Sequence, residues 1–122
     1  MSLGSEALET LVKRYLDTVA NGTAAEVAML YAEDATLEDP VGGGEVHIGR
    51  HAIEGFYSAL KGAELVTELL TFRGGGYEAA FVFAITVAGS MRIEPIDVMA
   101  FDGEGKITSM KAYWSPSDVT QH

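Results

Sequence analysis

The stretch Met91-Arg92-Ile93-Glu94-Pro95-Ile96-Asp97-Val98-Met99-Ala100-Phe101 decides how this chain folds. It reads as one strand. Successive side chains of a strand point to opposite faces, so Ile93, Pro95, Asp97, Met99 and Phe101 share one face. Downstream, Asp102-Gly103-Glu104-Gly105 is a turn and Lys106 to Trp114 a further strand. Upstream, Tyr77 to Ala88 is rich in β-branched and aromatic residues. It is preceded by a turn at Arg73-Gly74-Gly75-Gly76 and a strand from Ala63 to Phe72. Connections this short imply antiparallel pairing. The second half of the chain is therefore an antiparallel meander.

The first half carries helical spacing. Leu8, Leu11, Val12, Tyr15, Leu16 and Val19 recur on one stripe from Glu6 to Ala20, and Asn21-Gly22 closes that helix. Thr23-Ala24-Ala25-Glu26 fits a capping box for a second short helix through about Tyr31. Ala35-Thr36-Leu37-Glu38 reads as a short strand ended by Asp39-Pro40, and Gly42-Gly43-Gly44 as a loop. A third helix spans Arg50 to Leu60, with Ile53, Phe56, Tyr57 and Leu60 on one side. Helices followed by a meander make an α+β domain, a cone-shaped curved antiparallel sheet with three N-terminal helices around an apolar pocket. One domain over residues 1–122 is expected, with Met1 to Ser5 as a small polar leader outside the ordered fold.

The bulk numbers narrow the function. A chain of 122 residues that is 48% hydrophobic and 21% charged is globular. A net charge of −10 argues against nucleic acid or an anionic membrane as partner, since both require basic surface. The absence of cysteine excludes disulfides and thiol chemistry, and a reducing cytoplasm is the simplest setting. No apolar run has the length of a membrane span and no signal peptide is visible.

Three residues could carry chemistry. Asp97 lies on the apolar face of its strand. Burying an ionised carboxylate is costly, so such an acid stays protonated or finds a partner. Asp39 ends a strand beside a glycine loop, where scaffold-held functional side chains are common. Tyr15 lies on a buried stripe and its hydroxyl needs a partner there. Tyr31 and Tyr57 fall near the buried sides of their helices, so three phenols could form one hydrogen-bond chain. The plainer alternatives are a core Asp capping backbone, an Asp-Pro turn and a core tyrosine. His47 and His51 are four residues apart, but no acid or cysteine cluster supports a metal, and none is expected. The glycine triplets lack the Lys-Ser/Thr of a phosphate loop, and no serine has a histidine in a plausible relay.

Taken together these segments resemble bacterial ketosteroid isomerase. The resemblance runs through Arg14-Tyr15-Leu16, Tyr31-Ala32-Glu33-Asp34-Ala35-Thr36-Leu37-Glu38-Asp39-Pro40, Gly49-Arg50, Ile53 and Phe56-Tyr57. It continues in Ile96-Asp97-Val98-Met99-Ala100-Phe101-Asp102, Gly105-Lys106-Ile107 and Met110-Lys111-Ala112-Tyr113-Trp114-Ser115. It implies the cone-shaped fold also seen in nuclear transport factor 2. It implies Asp39 as general base, and Tyr15 and Asp97 as donors to an oxyanion; that family is itself the standing example of a carboxylic acid held neutral by an apolar site. Tyr31 and Tyr57 match supporting phenols, and Phe56, Met99, Met110 and Trp114 match apolar pocket positions. Phe83 lies on the strand expected to line much of the pocket. The implied reaction moves a β,γ double bond into conjugation with a ketone, with a steroid-like substrate, no cofactor, and a homodimer formed through the outer sheet face. A related polyketide cyclase or epoxide hydrolase is the second expectation, although Arg92 has the wrong strand parity for an Asp–Arg–Asp group. A non-catalytic dimer binding a small molecule is the third.

Overall fold

The structure is a computed structural model and describes residues 3–121. It contains α1 (Ser5–Asn21), α2 (Ala24–Ala28), β1 (Tyr31–Glu38), β2 (Val46–Ile48), α3 (Arg50–Leu60), β3 (Leu65–Gly75), β4 (Glu78–Val87), β5 (Met91–Ile93), β6 (Ile96–Phe101), β7 (Ile107–Tyr113) and β8 (Val119–Gln121). The strands join in the order β2-β1-β7-β6-β4-β5-β8, with β3 paired to the other edge of β4. The β1–β7 pair is parallel and the other pairs are antiparallel.

The expected leader is partly inside this fold. Met1 and Ser2 lie outside the described residues. Leu3 packs against the core and donates its N–H to the Gly76 carbonyl, and Ser5 opens α1. The second helix is shorter than its capping box suggested. Thr23 and Glu26 do form the reciprocal cap, but the helix stops at Ala28. Tyr31 instead begins β1, held by pairing with Ile107 across the parallel β1–β7 ladder. A long-range ladder overrides a weak local helix preference here.

The strand expected from Met91 to Phe101 is broken into β5 and β6. Proline has no N–H to give a ladder and is confined to breaks and edges. Residues 94–95 are where β6 leaves its pairing with the first half of β4 and β5 takes up the second half. The alternation survives the break, since Pro95, Asp97, Met99 and Phe101 are all buried. Arg73 to Gly75 belong to β3 rather than to a turn.

The helices cover the concave side of the sheet. Leu8, Val12, Tyr15, Leu16 and Val19 bury one stripe of α1, four residues or three apart. Three polar ties fix the helices at the future site. Arg50 of α3 donates through Nε (3.2 Å) and Nη2 (2.7 Å) to the Tyr31 carbonyl. Lys61 Nζ donates to the Val19 carbonyl at 2.6 Å, and Thr67 Oγ1 to the Leu16 carbonyl at 2.9 Å. Gly49 has a φ of +92°, the left-handed region open to glycine, and turns the chain from β2 into α3.

Candidate active site

An apolar cavity of about 180 Å³ lies between α1, α3 and the concave sheet. The helices give it Tyr15 and Val19, four residues apart on α1, and Phe56, Tyr57 and Leu60 on α3. The sheet gives it Phe83, Ile85 and Val87, alternate residues of β4, and Ile93, Pro95 and Asp97 from the β5–β6 face. Asp39 and Trp114, each just beyond a strand end, complete it. The polar side chains that reach this wall are Tyr15, Tyr57, Asp39, Asp97 and the Trp114 indole.

Asp97 is in the middle of β6, opposite Phe81 on β4 and Ala112 on β7. It is 1% exposed, and among the described residues its Oδ1 is the buried side-chain polar atom without a hydrogen-bond partner. Burial pushes this carboxyl well above the ordinary carboxylate range, and repulsion from Asp39 adds to the push. The neutral acid is the favoured form, and it has a proton to give.

Tyr15 belongs to a chain of phenols. Its hydroxyl is 2.7 Å from that of Tyr57, which is 2.7 Å from that of Tyr31. Tyr57 is the middle member, so Tyr31 acts on Tyr15 through it. If Tyr31 donates to Tyr57 and Tyr57 to Tyr15, the Tyr15 proton is left to point into the cavity. Burial lifts all three phenols above their usual range. They are therefore neutral donors rather than phenolates.

Asp39 is set differently. It follows the last residue of β1 and is half-buried. Trp114 Nε1 donates to its Oδ1 at 2.6 Å. Burial raises its proton affinity above the ordinary carboxylate range, and the Trp114 bond and the electrostatic influence of His47 offset part of that rise. Bonds to an ionised carboxylate favour that form.

The structure thus brings Tyr15, Asp39, Asp97, Tyr57, Phe56, Phe83 and Trp114 to one cavity. Tyr31 stands behind it, and it does so from a strand, not a helix. Met99 and Met110 are not in the cavity lining. They face each other across β6 and β7 and are fully buried in the core, so their expected place in the pocket wall is corrected. Sequence reasoning passed over Val19, Leu60 and Ile85 as wall residues, although helical spacing and strand parity marked each as inward. It also passed over His47 as a neighbour of Asp39. Arg92 pairs with Glu94 at 3.1 Å outside the cavity. Among the described residues no group of three or more His, Asp or Glu side chains could hold a metal.

Residues 12–110 match the model of the SnoaL-like domain family. The chain belongs to that family. It is 54% identical over 118 residues to a steroid Delta-isomerase of Nocardioides simplex, covering 94% of this chain and 95% of the relative. Among solved structures it resembles the epoxide hydrolase/cyclase-like enzyme SalBIII, described for pyran ring formation in the polyether salinomycin. That likeness has a TM-score of 0.88 at 27% identity, covering 96% of this chain and 97% of the other. The SnoaL-like fold accounts for the architecture above, a curved open sheet with three helices on its concave side.

Proposed function

We propose that this protein is a steroid Δ-isomerase, moving the double bond of a 3-oxo-Δ5-steroid into conjugation with the ketone. The observation that carries the reading is the polar content of the apolar cavity. One half-buried carboxylate shares it with a buried acid that has an unpartnered oxygen and with a phenol at the end of a three-tyrosine hydrogen-bond chain. The identity to a steroid Delta-isomerase over nearly the whole chain supports it independently.

In this reading Asp39 removes the proton between the ketone and the double bond. The electron pair moves onto the ketone oxygen, giving a dienolate. Tyr15 and neutral Asp97 donate hydrogen bonds to that oxygen, and fixed donors aimed at developing charge are usually the largest catalytic contribution. Asp39 then returns its proton to the γ-carbon, and the double bond emerges conjugated. The proton leaves and re-enters through one carboxylate, so the cycle closes without a cofactor. Phe56, Phe83 and Trp114 would hold the flat apolar substrate and exclude water, which strengthens every polar contact in the cavity.

We also propose that residues 1–122 act as one domain and pair as a homodimer through the outer sheet face. Val82, Ile96 and Tyr113 stand side by side there in register across β4, β6 and β7, and Ile96 and Tyr113 are exposed. Contiguous apolar surface of this kind marks an interaction site.

The test is addition of 5-androstene-3,17-dione to the purified protein. A rise in ultraviolet absorbance from the conjugated product is expected. No isomerisation of any β,γ-unsaturated ketone would sink the reading. A cyclase acting through an enolate is the second reading, supported by the likeness to SalBIII, and it predicts ring-closed products with no absorbance rise from a Δ5-steroid.

A further inference from the structure

The three-residue strand β2 carries a histidine on the cavity side. His47 stands opposite Leu37 in the β1–β2 pair, and Leu37 is fully buried. Directly opposed residues present their side chains on the same face, so His47 is turned inward with Leu37. Asp39 follows Leu37 by two positions and shares that face. His47 and Asp39 are therefore diagonal neighbours, a relation that places residues roughly 7–8 Å apart. The His47 ring also packs on Phe56, with ring centroids 5.2 Å apart, and Phe56 lines the cavity together with Asp39.

The surrounding charges leave this relation intact. On β1, Glu38 points to the opposite face and accepts from the Gly42 N–H at 3.2 Å. On α3, Arg50 is engaged with the Tyr31 carbonyl, while His51 and Glu54 border an open groove with Glu33. Glu45 is exposed on the loop before β2. From the cavity, Trp114 donates to Asp39, and Tyr15, Tyr57 and Asp97 face it as neutral groups. Among these neighbours His47 is the one whose positive charge would favour the ionised form of Asp39.

We infer that His47 is an electrostatic positioning residue for Asp39: as an imidazolium it keeps that carboxylate ionised, and the site competent, into the acid pH range. A positive charge on the imidazole beside a carboxylate favours the ionised form of that carboxylate over its neutral form. The consequence for turnover rests on the isomerase reading; the coupling of the two side chains does not.

Trp114 makes the coupling measurable without substrate. It is the single tryptophan, and its indole N–H is bonded to Asp39, so its fluorescence follows the Asp39 proton. In His47→Gln the midpoint of the fluorescence titration should rise by roughly half to one pH unit. His47→Arg, with a permanent charge, should return it to the native value or below. The acid limb of kcat/KM for the Δ5-steroid should move with the midpoint, giving roughly three- to tenfold less activity in His47→Gln one unit below the limb. A residue that only fills space would change the rate without moving the limb. Identical midpoints in the native protein and both variants would overturn the inference, as would a His47→Arg midpoint above the native one if His47→Gln failed to fold. If no ketone is isomerised, the fluorescence titration still decides the coupling.

Discussion

Asp39 and Asp97 are the same residue in two surroundings within one cavity. Asp39 stands past the end of β1, half-buried, with the Trp114 N–H on one oxygen and His47 nearby. Asp97 stands in the middle of β6, sealed between β4 and β7, with one oxygen bonded to nothing. One donor and the influence of His47 offset part of the cost that burial puts on the charge of the first. Burial without a donor removes it from the second. In the proposed reaction base and acid would thus be divided by position in the sheet, since a residue past a strand end can meet an indole and a loop while one at a strand centre is flanked by strands on both sides.

The sharpest way to break the contrast is to abolish the charged member. Asp39→Asn should lower kcat by up to roughly 10⁴-fold, the upper range for a positioned base. Binding of a phenolic steroid should persist, because Tyr15 and Asp97 remain. Removing a neutral member should cost less. Tyr15→Phe or Asp97→Ala should each lower kcat by roughly 10²–10³-fold with a smaller change in KM, the range for one lost donor to an oxyanion. A stopped-assay comparison of kcat and KM across the three variants checks the ranking. Equal losses at Asp39 and Asp97 would mean that the two acids do not divide the work as proposed.

Most of this contrast was legible in the sequence, because both acids interrupt regular patterns. Parity alone turned Asp97 inward beside Ile93 and Pro95, and that survived the break at Pro95. The α1 stripe likewise delivered Tyr15 to the cavity, with Val19 one turn farther on. What was hidden depended on pairing across long sequence distances. Tyr31 looked like the end of a helix until the parallel ladder with β7 claimed it. β2 is three residues long and lies between a glycine-rich loop and Gly49, too short to show a period. His47 was consequently weighed as half of a histidine pair with His51, when its neighbours are Leu37 and Phe56. Met99 and Met110 show the converse limit, since inward parity marks burial but not which buried residues border a void.

The neutral state of Asp97 can be tested through stability. Its proton affinity is raised in the folded protein and ordinary in the unfolded chain, near pKa 3.9 for aspartate. Between those two values the folded state binds more protons than the unfolded state. Stability therefore falls as pH rises above the unfolded value. Asp97→Asn has no proton to lose and escapes that decline. Its Tm should exceed the native one at pH 7 by a few degrees, with the two converging near pH 4. Each unit by which folding raises the carboxyl corresponds to about 1.4 kcal/mol. Parallel melting curves from pH 4 to pH 8 would show that Asp97 is charged in the folded state.

The smallest expected effect sharpens the other side of the comparison. Trp114→Phe keeps an aromatic ring in the cavity wall and removes the 2.6 Å bond to Asp39. That bond favours the ionised carboxylate, so its loss raises the proton affinity of Asp39. Activity disappears as pH falls through that value, and the acid limb of kcat/KM should move up by about one unit, the equivalent of one hydrogen bond to a charged group. Above the limb the loss should be only a few-fold, because a base with higher proton affinity also accepts a proton more readily. The same substitution should leave the pH dependence of Tyr15→Phe displaced by an equal amount, since the indole is bonded to Asp39 and the phenols are bonded to one another. A limb that stays in place in Trp114→Phe would mean that the cavity's apolar walls, not the donor, set the state of Asp39, and the two carboxyl groups would then differ only in depth.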